Sequence, residues 1–462
     1  MSALWTNKDA GAATGGTCRF AFQATGVSID SRTVAAGDLF IALAGPNHDG
    51  HDHVEAAFAA GASAAMIHRE MDANGALIRV NDTLIGMADL ARHRRAQSSA
   101  RVAGITGSVG KTGTKEILHQ LLADQATTHA SAKSHNNHWG VPLTLARLPL
   151  AAKYAVVEMG MNAPGEIRAL TKIAQPHVAL ITEVAAAHLK FFNSVAEIAA
   201  AKAEIFEGVV PGGMGIIPAD NPHAPVLRQQ AEKCGVKLLS FGMANDADWR
   251  ILDLQSDAQG SDVHLAFDGL DGRFRVGVPG AHWARNAVAA LAVVSQLGGD
   301  VEAAATKLET VQLSGGRGGR QMLDLGGKRC LLIDESYNAN PASMRAALAM
   351  FADLTMPKIA VLGDMLELGA TAPQLHADLK EDVLAAGLDR LILVGPQMAN
   401  LAEALGQTGT IDIHRAADEV AAGALLGKLL KDGDGLLIKG SNGIGLSRIV
   451  HELSKQSKGA AA

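Results

Sequence analysis

The segment that starts at Val102 leaves a folding chain few options. Val102-Ala103-Gly104-Ile105-Thr106 is a continuous apolar run of strand length. Gly107-Ser108-Val109-Gly110-Lys111-Thr112-Gly113 follows at once, and a helical pattern opens behind it. A glycine-rich turn between a buried strand and a helix aims backbone N–H groups and the positive end of the helix at one point, which suits phosphate oxygens. Lys111 reaches the outer phosphates of a nucleotide, and Thr112 offers its hydroxyl to a magnesium ion. The common G-x-x-x-x-G-K-[ST] pattern has glycine where this chain has Ile105, so the loop is a variant. An ordinary glycine-rich turn has no need of the Lys-Thr pair in that context.

The same texture recurs on both sides. Tyr154-Ala155-Val156-Val157-Glu158 and Val178-Ala179-Leu180-Ile181-Thr182 read as further buried strands separated by helical segments, which implies a parallel sheet covered on both faces. Four more apolar strands, around 330–333, 359–362, 391–394 and 436–438, alternate with helices beyond the glycine-rich stretch Leu313 to Arg320. They predict a doubly wound, Rossmann-like sheet. Before residue 98 the apolar segments are shorter, as in Asp38-Leu39-Phe40-Ile41-Ala42-Leu43, with a helical pattern from Val54 to Ala60. The expected class is α/β with three domains. These are a small α/β N-terminal domain (1–98), a central parallel-sheet P-loop domain (99–314) and a C-terminal Rossmann-like domain (315–462).

Composition narrows the function. With 48% hydrophobic and 19% charged residues among 462, each domain can bury a core. A net charge of -6 gives no basic surface for a nucleic-acid backbone, and the short run Arg92-His93-Arg94-Arg95 reads as a solvated helix end. No apolar run approaches the ~18 residues of a membrane helix. Residues Met1 to Asp9 lack the basic and apolar regions of a signal peptide. Cys18, Cys234 and Cys330 are scattered and odd in number, matching neither a disulfide framework nor a zinc site. A soluble, cytoplasmic protein is expected, and with nothing calling for an obligate interface, a monomer.

Glu158 and His188 both follow central strands, where open α/β sheets bind ligands. Lys202 stands out more. In the helical pattern from Val195 to Val209, Ile198, Lys202, Ile205 and Val209 share one face. A lysine in an apolar stripe either snorkels to water or loses its charge. Pattern alone favours snorkelling. A neutral amine, however, can add carbon dioxide and become an anionic carbamate suited to magnesium.

These residues and several others resemble the Mur ligases, over nearly the whole chain. Asp30-Ser31-Arg32 with Gly37 to Leu43 is similar to the family's uridine-binding first domain. Gly107 to Thr112 with Thr114-Lys115-Glu116 is similar to its ATP loop. Asn136-Asn137 with Gly140 to Leu145 resembles a substrate-facing segment. Glu158-Met159-Gly160-Met161 and His188 fall at metal-ligand positions, and Lys202 where several members carry a carbamylated lysine, a resemblance that lifts the carbamate above snorkelling. Gly280-Ala281-His282-Trp283-Ala284-Arg285-Asn286 resembles the adenine-side motif, and Arg317 a hinge arginine that contacts ATP. Asp334 to Pro341 with Leu362 to Gly369 resembles the members that add D-alanyl-D-alanine, and Lys439-Gly440-Ser441 completes the pattern. Two residues depart from it: Glu335 stands where a second aspartate is usual, and Lys190 where an acidic or neutral residue is expected.

The resemblance implies an ATP-dependent ligase that joins D-alanyl-D-alanine to a UDP-N-acetylmuramoyl-tripeptide through an acyl phosphate. ATP would be held by Gly107 to Gly113, His282, Asn286, Arg317, Asp334, Tyr337, Asn338 and Asn340. Magnesium would be held by Thr112, Glu158, His188 and carbamylated Lys202, with Lys111 and Lys202 as the catalytic pair. The UDP substrate would be held by Ser31, Arg32, Asn136 and Asn137. Arg317 and Asp334 lie just past the hinge, so the site would be complete only after domain closure. Other readings are a sibling Mur ligase, a folylpolyglutamate synthase-like ligase, or a P-loop switch or kinase. The last needs neither three domains nor the Asn286 motif. His48-Asp49-Gly50-His51-Asp52-His53 invites a zinc site, but a loop near the uridine nucleotide is the simpler reading.

Overall fold

A computed structural model describes residues 3–132, 134–187, 189–313, 315–406 and 409–460, the side chains of 458–460 excepted. Three main sheets follow one another along the chain. In the first, the strands Gly26–Ser28, Asp38–Ile41, Ala64–Ile67 and Ala76–Arg79 run parallel, and Thr17–Cys18 closes one edge antiparallel to the last. Leu39, Ile41, Met66 and Ile78 point from this sheet into one core with Trp5 and Met87.

The central sheet has nine strands. Arg101–Thr106 lies inside it, between Val178–Ile181 on one side and Tyr154–Glu158 on the other, both parallel to it. All three are buried almost throughout, on both faces, which explains their unbroken apolar sequences. From Arg101–Thr106 the chain crosses towards Thr128–Ala130, at the far edge beyond Tyr154–Glu158. From Val178–Ile181 it crosses the other way, to Met214–Pro218. The crevice between these diverging connections is where such sheets bind ligands, and the phosphate loop emerges into it. The sheet is not wholly parallel as expected. Trp249–Ser256, Ser261–Phe267 and Leu270–Val276 form an antiparallel edge. Their alternating burial leaves one face in water, so they lack the continuous apolar signature.

The third sheet has the order Gly319–Asp324, Arg329–Glu335, Gly435–Lys439, Lys358–Gly363, Arg390–Val394, Asp412–Ala416, parallel except for its first strand. Helices cover both faces, as the two cores show.

Two local expectations change. The pattern from Val195 to Val209 is an α-helix only over Val195–Ala203 and continues as a 3-10 turn over Glu204–Gly208. The run Arg92 to Arg95 ends the helix Thr83–Gln97, but only part of it is solvated. Arg94 and Arg95 are buried. Arg95 donates from Nε to Ala174 O and from Nη2 to Gln175 O, both at 2.8 Å, satisfying carbonyls at the end of the helix Glu166–Ala174. The Arg94 guanidinium lies 4.4 Å from the centre of the Trp5 ring. Arg95 thus staples the first domain to the second, while Arg94 is held within the first. Among the described residues no helix is long and apolar enough to cross a membrane.

Candidate active site

The phosphate loop is shaped by what presses against it. Gly107 has φ 157°, and a Cβ there would lie 1.9 Å from Thr182 Oγ1. That hydroxyl donates to Val109 O at 2.6 Å and holds the loop from below. Ser108 Oγ donates to Ala185 O and accepts from Ala185 N, tying the loop to the end of the neighbouring strand. Gly110 has φ 82° and faces Asn286, while Gly113 makes room for the Trp283 ring, 2.1 Å from its would-be Cβ. The helix Ala281–Gln296 thus backs the loop with both residues. Lys111 Nζ donates to Gly107 O at 2.6 Å and curls over the loop it serves. Burial lowers its pKa, Glu158 partly offsets this, and Arg317 adds to the lowering.

Glu158 is the polar hub. Its Oε1 accepts from Thr112 Oγ1 at 2.9 Å and from Asn136 Nδ2 at 2.7 Å. Its Oε2 is buried and has no hydrogen-bond partner among the described residues. Such an oxygen is costly to leave unpaired, and a hard divalent cation bonded to it and to the Thr112 hydroxyl removes that cost. His188 lies outside the described residues. Among those described, no three His, Cys, Asp or Glu side chains gather into a metal-binding group. Lys202 is 2% exposed, so it does not snorkel. Burial, with Lys111 nearby, drops its pKa well below that of a free lysine.

The C-terminal domain supplies the opposite wall. Arg317 donates from Nη2 to Ser134 Oγ at 2.6 Å and stacks 3.9 Å from the centre of the Tyr337 ring. Asn340 Nδ2 reaches Ser108 O at 3.5 Å, across the domain boundary. Lys439 Nζ donates to Glu335 Oε2 at 3.2 Å and Asn338 O at 3.0 Å, so the unusual Glu335 has a buried cationic partner. His282 is held neutral, its pKa lowered to about 4 by burial and by Lys439. These groups line one cleft of about 1060 Å³, together with the phosphate loop, Asn136, Asn137 and Glu158.

Lys202, Asp334, Ser31 and Arg32 stand apart from the cleft lining. The Asp334 carboxylate accepts from Gly316 N, Ser336 N and Ser336 Oγ, so it shapes the hinge. Ser31 and Arg32 form an exposed 3-10 turn capped by Asp30, which also pairs with the Arg32 guanidinium. In the histidine-rich loop His51 is committed to structure: Nδ1 bonds Asp49 Oδ1 and Nε2 accepts from His68 N. Lys190 is exposed and lies over the Phe191 ring, away from the cleft lining. Thr182, Ser134 and Trp283 were not identified from sequence. The neighbours of Trp283 carried a signal, but single hydroxyls after a strand or in a loop carry none.

The chain matches family models for the Mur ligase family catalytic domain (23–100), the Mur ligase middle domain (105–294) and the Mur ligase glutamate ligase domain (322–442). It is 33% identical over 453 residues to a UDP-N-acetylmuramoyl-tripeptide–D-alanyl-D-alanine ligase of Rickettsia prowazekii, covering 97% of this chain and 99% of that one. A ligase of the same name from Bacillus subtilis is 34% identical, with 93% of each chain covered. Among solved structures, MurF from Acinetobacter baumannii superposes with a TM-score of 0.86 at 31% identity, covering 98% of this chain and 99% of that one. MurF ligase from Thermotoga maritima in complex with ADP does so with a TM-score of 0.78 at 26% identity, covering 94% and 98%.

Proposed function

Because the chain belongs to the Mur ligase family, we propose that it joins D-alanyl-D-alanine to a UDP-N-acetylmuramoyl-tripeptide while ATP becomes ADP and phosphate. One observation carries this reading. A phosphate loop, the buried carboxylate of Glu158 with one oxygen unpaired among the described residues, and hinge residues of a further domain face a single cleft. A switch or kinase has no use for that third component.

A free carboxylate repels nucleophiles. Transfer of the γ-phosphoryl group to a carboxylate oxygen breaks the bond from phosphorus to the β,γ-bridging oxygen and yields an acyl phosphate. The dipeptide amine then attacks the acyl carbon and loses a proton, the acyl C–O bond breaks, and phosphate leaves with its electron pair. The protein contributes positioning and charge neutralisation. The first N–H groups of the helix Lys111–Ala123 and the Lys111 ammonium hold the phosphates. Asn286 and His282 take the adenine side. Arg317, Tyr337, Asn338 and Asn340 close over the nucleotide, with Asp334 holding the hinge in shape. Thr112, Glu158, His188 and Lys202 would hold magnesium, which would supply charge neutralisation when bound. For Lys202 this requires its uncharged amine to add carbon dioxide, forming an N–C bond and releasing one proton. Desolvation of that amine supports the step. Ser31, Arg32, Asn136 and Asn137 serve the UDP substrate. Domains of 1–98, 99–314 and 315–462, a monomeric chain and a cytoplasmic site of action belong to the same reading.

The test is phosphate release from ATP. It should require both the UDP-tripeptide and D-alanyl-D-alanine. Release indifferent to the dipeptide overturns the reading. Density beyond Lys202 Nζ in a complex with an ATP analogue and UDP-tripeptide checks the carbamate.

A further inference from the structure

The C-terminal domain brings residues 364–369 to the cleft wall through Leu366 and Glu367, neither of which has a stated role. Met365 and Leu368 are 1% and 2% exposed, while Leu366 between them is 42% exposed and lines the cleft beside Glu367. Glu367 takes φ 64°, a conformation that costs a non-glycine residue energy and that clusters at ligand sites. The segment is pinned at each residue that leads to it. Asp364 accepts from Gln397 N and Met398 N. Leu366 N donates to Ser441 Oγ at 2.9 Å, and Glu367 O accepts from Lys190 N at 3.1 Å. Met365 N donates to Nε2 of His376 at 2.9 Å, and the other ring nitrogen of His376 donates to Ala372 O at 2.6 Å. His376 is fully buried and absent from the cleft lining. Gly443 faces Leu366, where a Cβ would lie 2.9 Å from Leu366 Cδ1. An apolar side chain is thus presented to the cleft, with space kept clear beside it and its backbone locked from behind.

We infer that Leu366 packs against a methyl group of the incoming dipeptide, and that His376 is the positioning residue that holds it there. The inference rests on the ligase reading above. D-Alanyl-D-alanine has little to offer an enzyme besides its two charged ends and two methyl groups, so discrimination against bulkier or more polar dipeptides needs a fixed apolar contact. The uncharged ring of His376, with Nε2 as acceptor, supplies the fixing. Glutamine keeps an acceptor for Met365 N–H, whereas leucine fills the volume without one.

The experiment measures KM for each of the three substrates in the full-length protein, its His376→Leu, His376→Gln and Leu366→Ala variants. His376→Leu should raise KM for the dipeptide about tenfold or more while KM for ATP moves less than about twofold, and His376→Gln should recover most of the loss. Leu366→Ala should raise the dipeptide KM and narrow the preference for D-alanyl-D-alanine over a dipeptide with a larger second side chain. This variant decides the matter if His376→Leu fails to fold. An unchanged preference in Leu366→Ala, or an equal rise of all three KM values in His376→Leu, overturns the inference. Absence of any dipeptide dependence in the unmodified protein instead overturns the ligase reading itself.

Discussion

Replacing Thr182 by valine removes one oxygen and leaves the shape of the side chain intact. That oxygen donates to Val109 O at 2.6 Å, and the residue is 2% exposed. The methyl that takes its place still fills the space against Gly107, so packing changes little. What is lost is one hydrogen bond from a buried hydroxyl to a half-buried loop carbonyl, about 1 kcal/mol, with a ceiling of about 3 kcal/mol if the carbonyl finds no other donor. Because the bond holds the loop in its phosphate-binding shape, the cost falls on binding. About 1 kcal/mol corresponds to a roughly fivefold rise in KM for ATP, and the ceiling to more than a hundredfold. Steady-state rates at saturating UDP-tripeptide and dipeptide give that KM, and a thermal scan reports stability. Thr182→Ser should stay near the unmodified protein. An ATP KM unchanged within about twofold in Thr182→Val, beside a lowered melting temperature, would show the hydroxyl to be structural only and refute the reasoning.

Glu158→Gln keeps an acceptor for Thr112 and Asn136 but removes the charge. It should lower kcat by about 10²–10³ and weaken magnesium binding in calorimetry; near-normal kcat would remove Glu158 from the metal site. Arg95→Met deprives two helix-end carbonyls of charge-assisted bonds and should cost about 3 kcal/mol, lowering the first calorimetric transition by about 6–12 °C. Exposed Arg92→Met should change stability by less than about 0.5 kcal/mol, and equal effects of the two would refute the staple. His177 accepts from Val102 N through Nδ1, and burial with the charges of Arg95 and Arg101 lowers its pKa to about 4. Between that value and the unfolded value of about 6.5 the unfolded chain binds the extra proton. The stability His177 contributes is therefore full above the unfolded value and lost as pH falls through this window. Denaturant titrations should show that slope, and His177→Asn should flatten it.

The parts of this molecule that were legible in sequence are those where one physical demand excludes alternatives. Strands buried on both faces must be apolar throughout, so Tyr154–Glu158 and Val178–Ile181 announce themselves, whereas the half-solvated strands from Trp249 to Val276 do not. The phosphate loop shows because glycine, lysine and threonine are each required at fixed offsets. Lys202 shows because charge is out of place on its helix face, and its burial bears that out. Arg94 and Arg95 carry the same oddity without displaying it. In a run of basic residues at a helix end, nothing local separates a cation in water from one that caps another helix 79 residues away. Thr182 and His376 act through backbone groups that are distant or unremarkable in sequence, and only the fold brings them to their partners.

The strand Arg101–Thr106 is bonded on both sides within a nine-stranded sheet, whereas residues 364–369 hang from a few hydrogen bonds on another domain. The two halves of the site therefore belong to different energy scales of motion. Amide protons of Arg101–Thr106 should exchange with solvent only when the central domain opens as a whole, and those of Met365 and Leu366 once His376 and Ser441 let go. The molecule works as an anvil and a jaw: the nucleotide meets a surface set by a whole sheet, and the second amine arrives on a wall that is firm only while a few bonds hold.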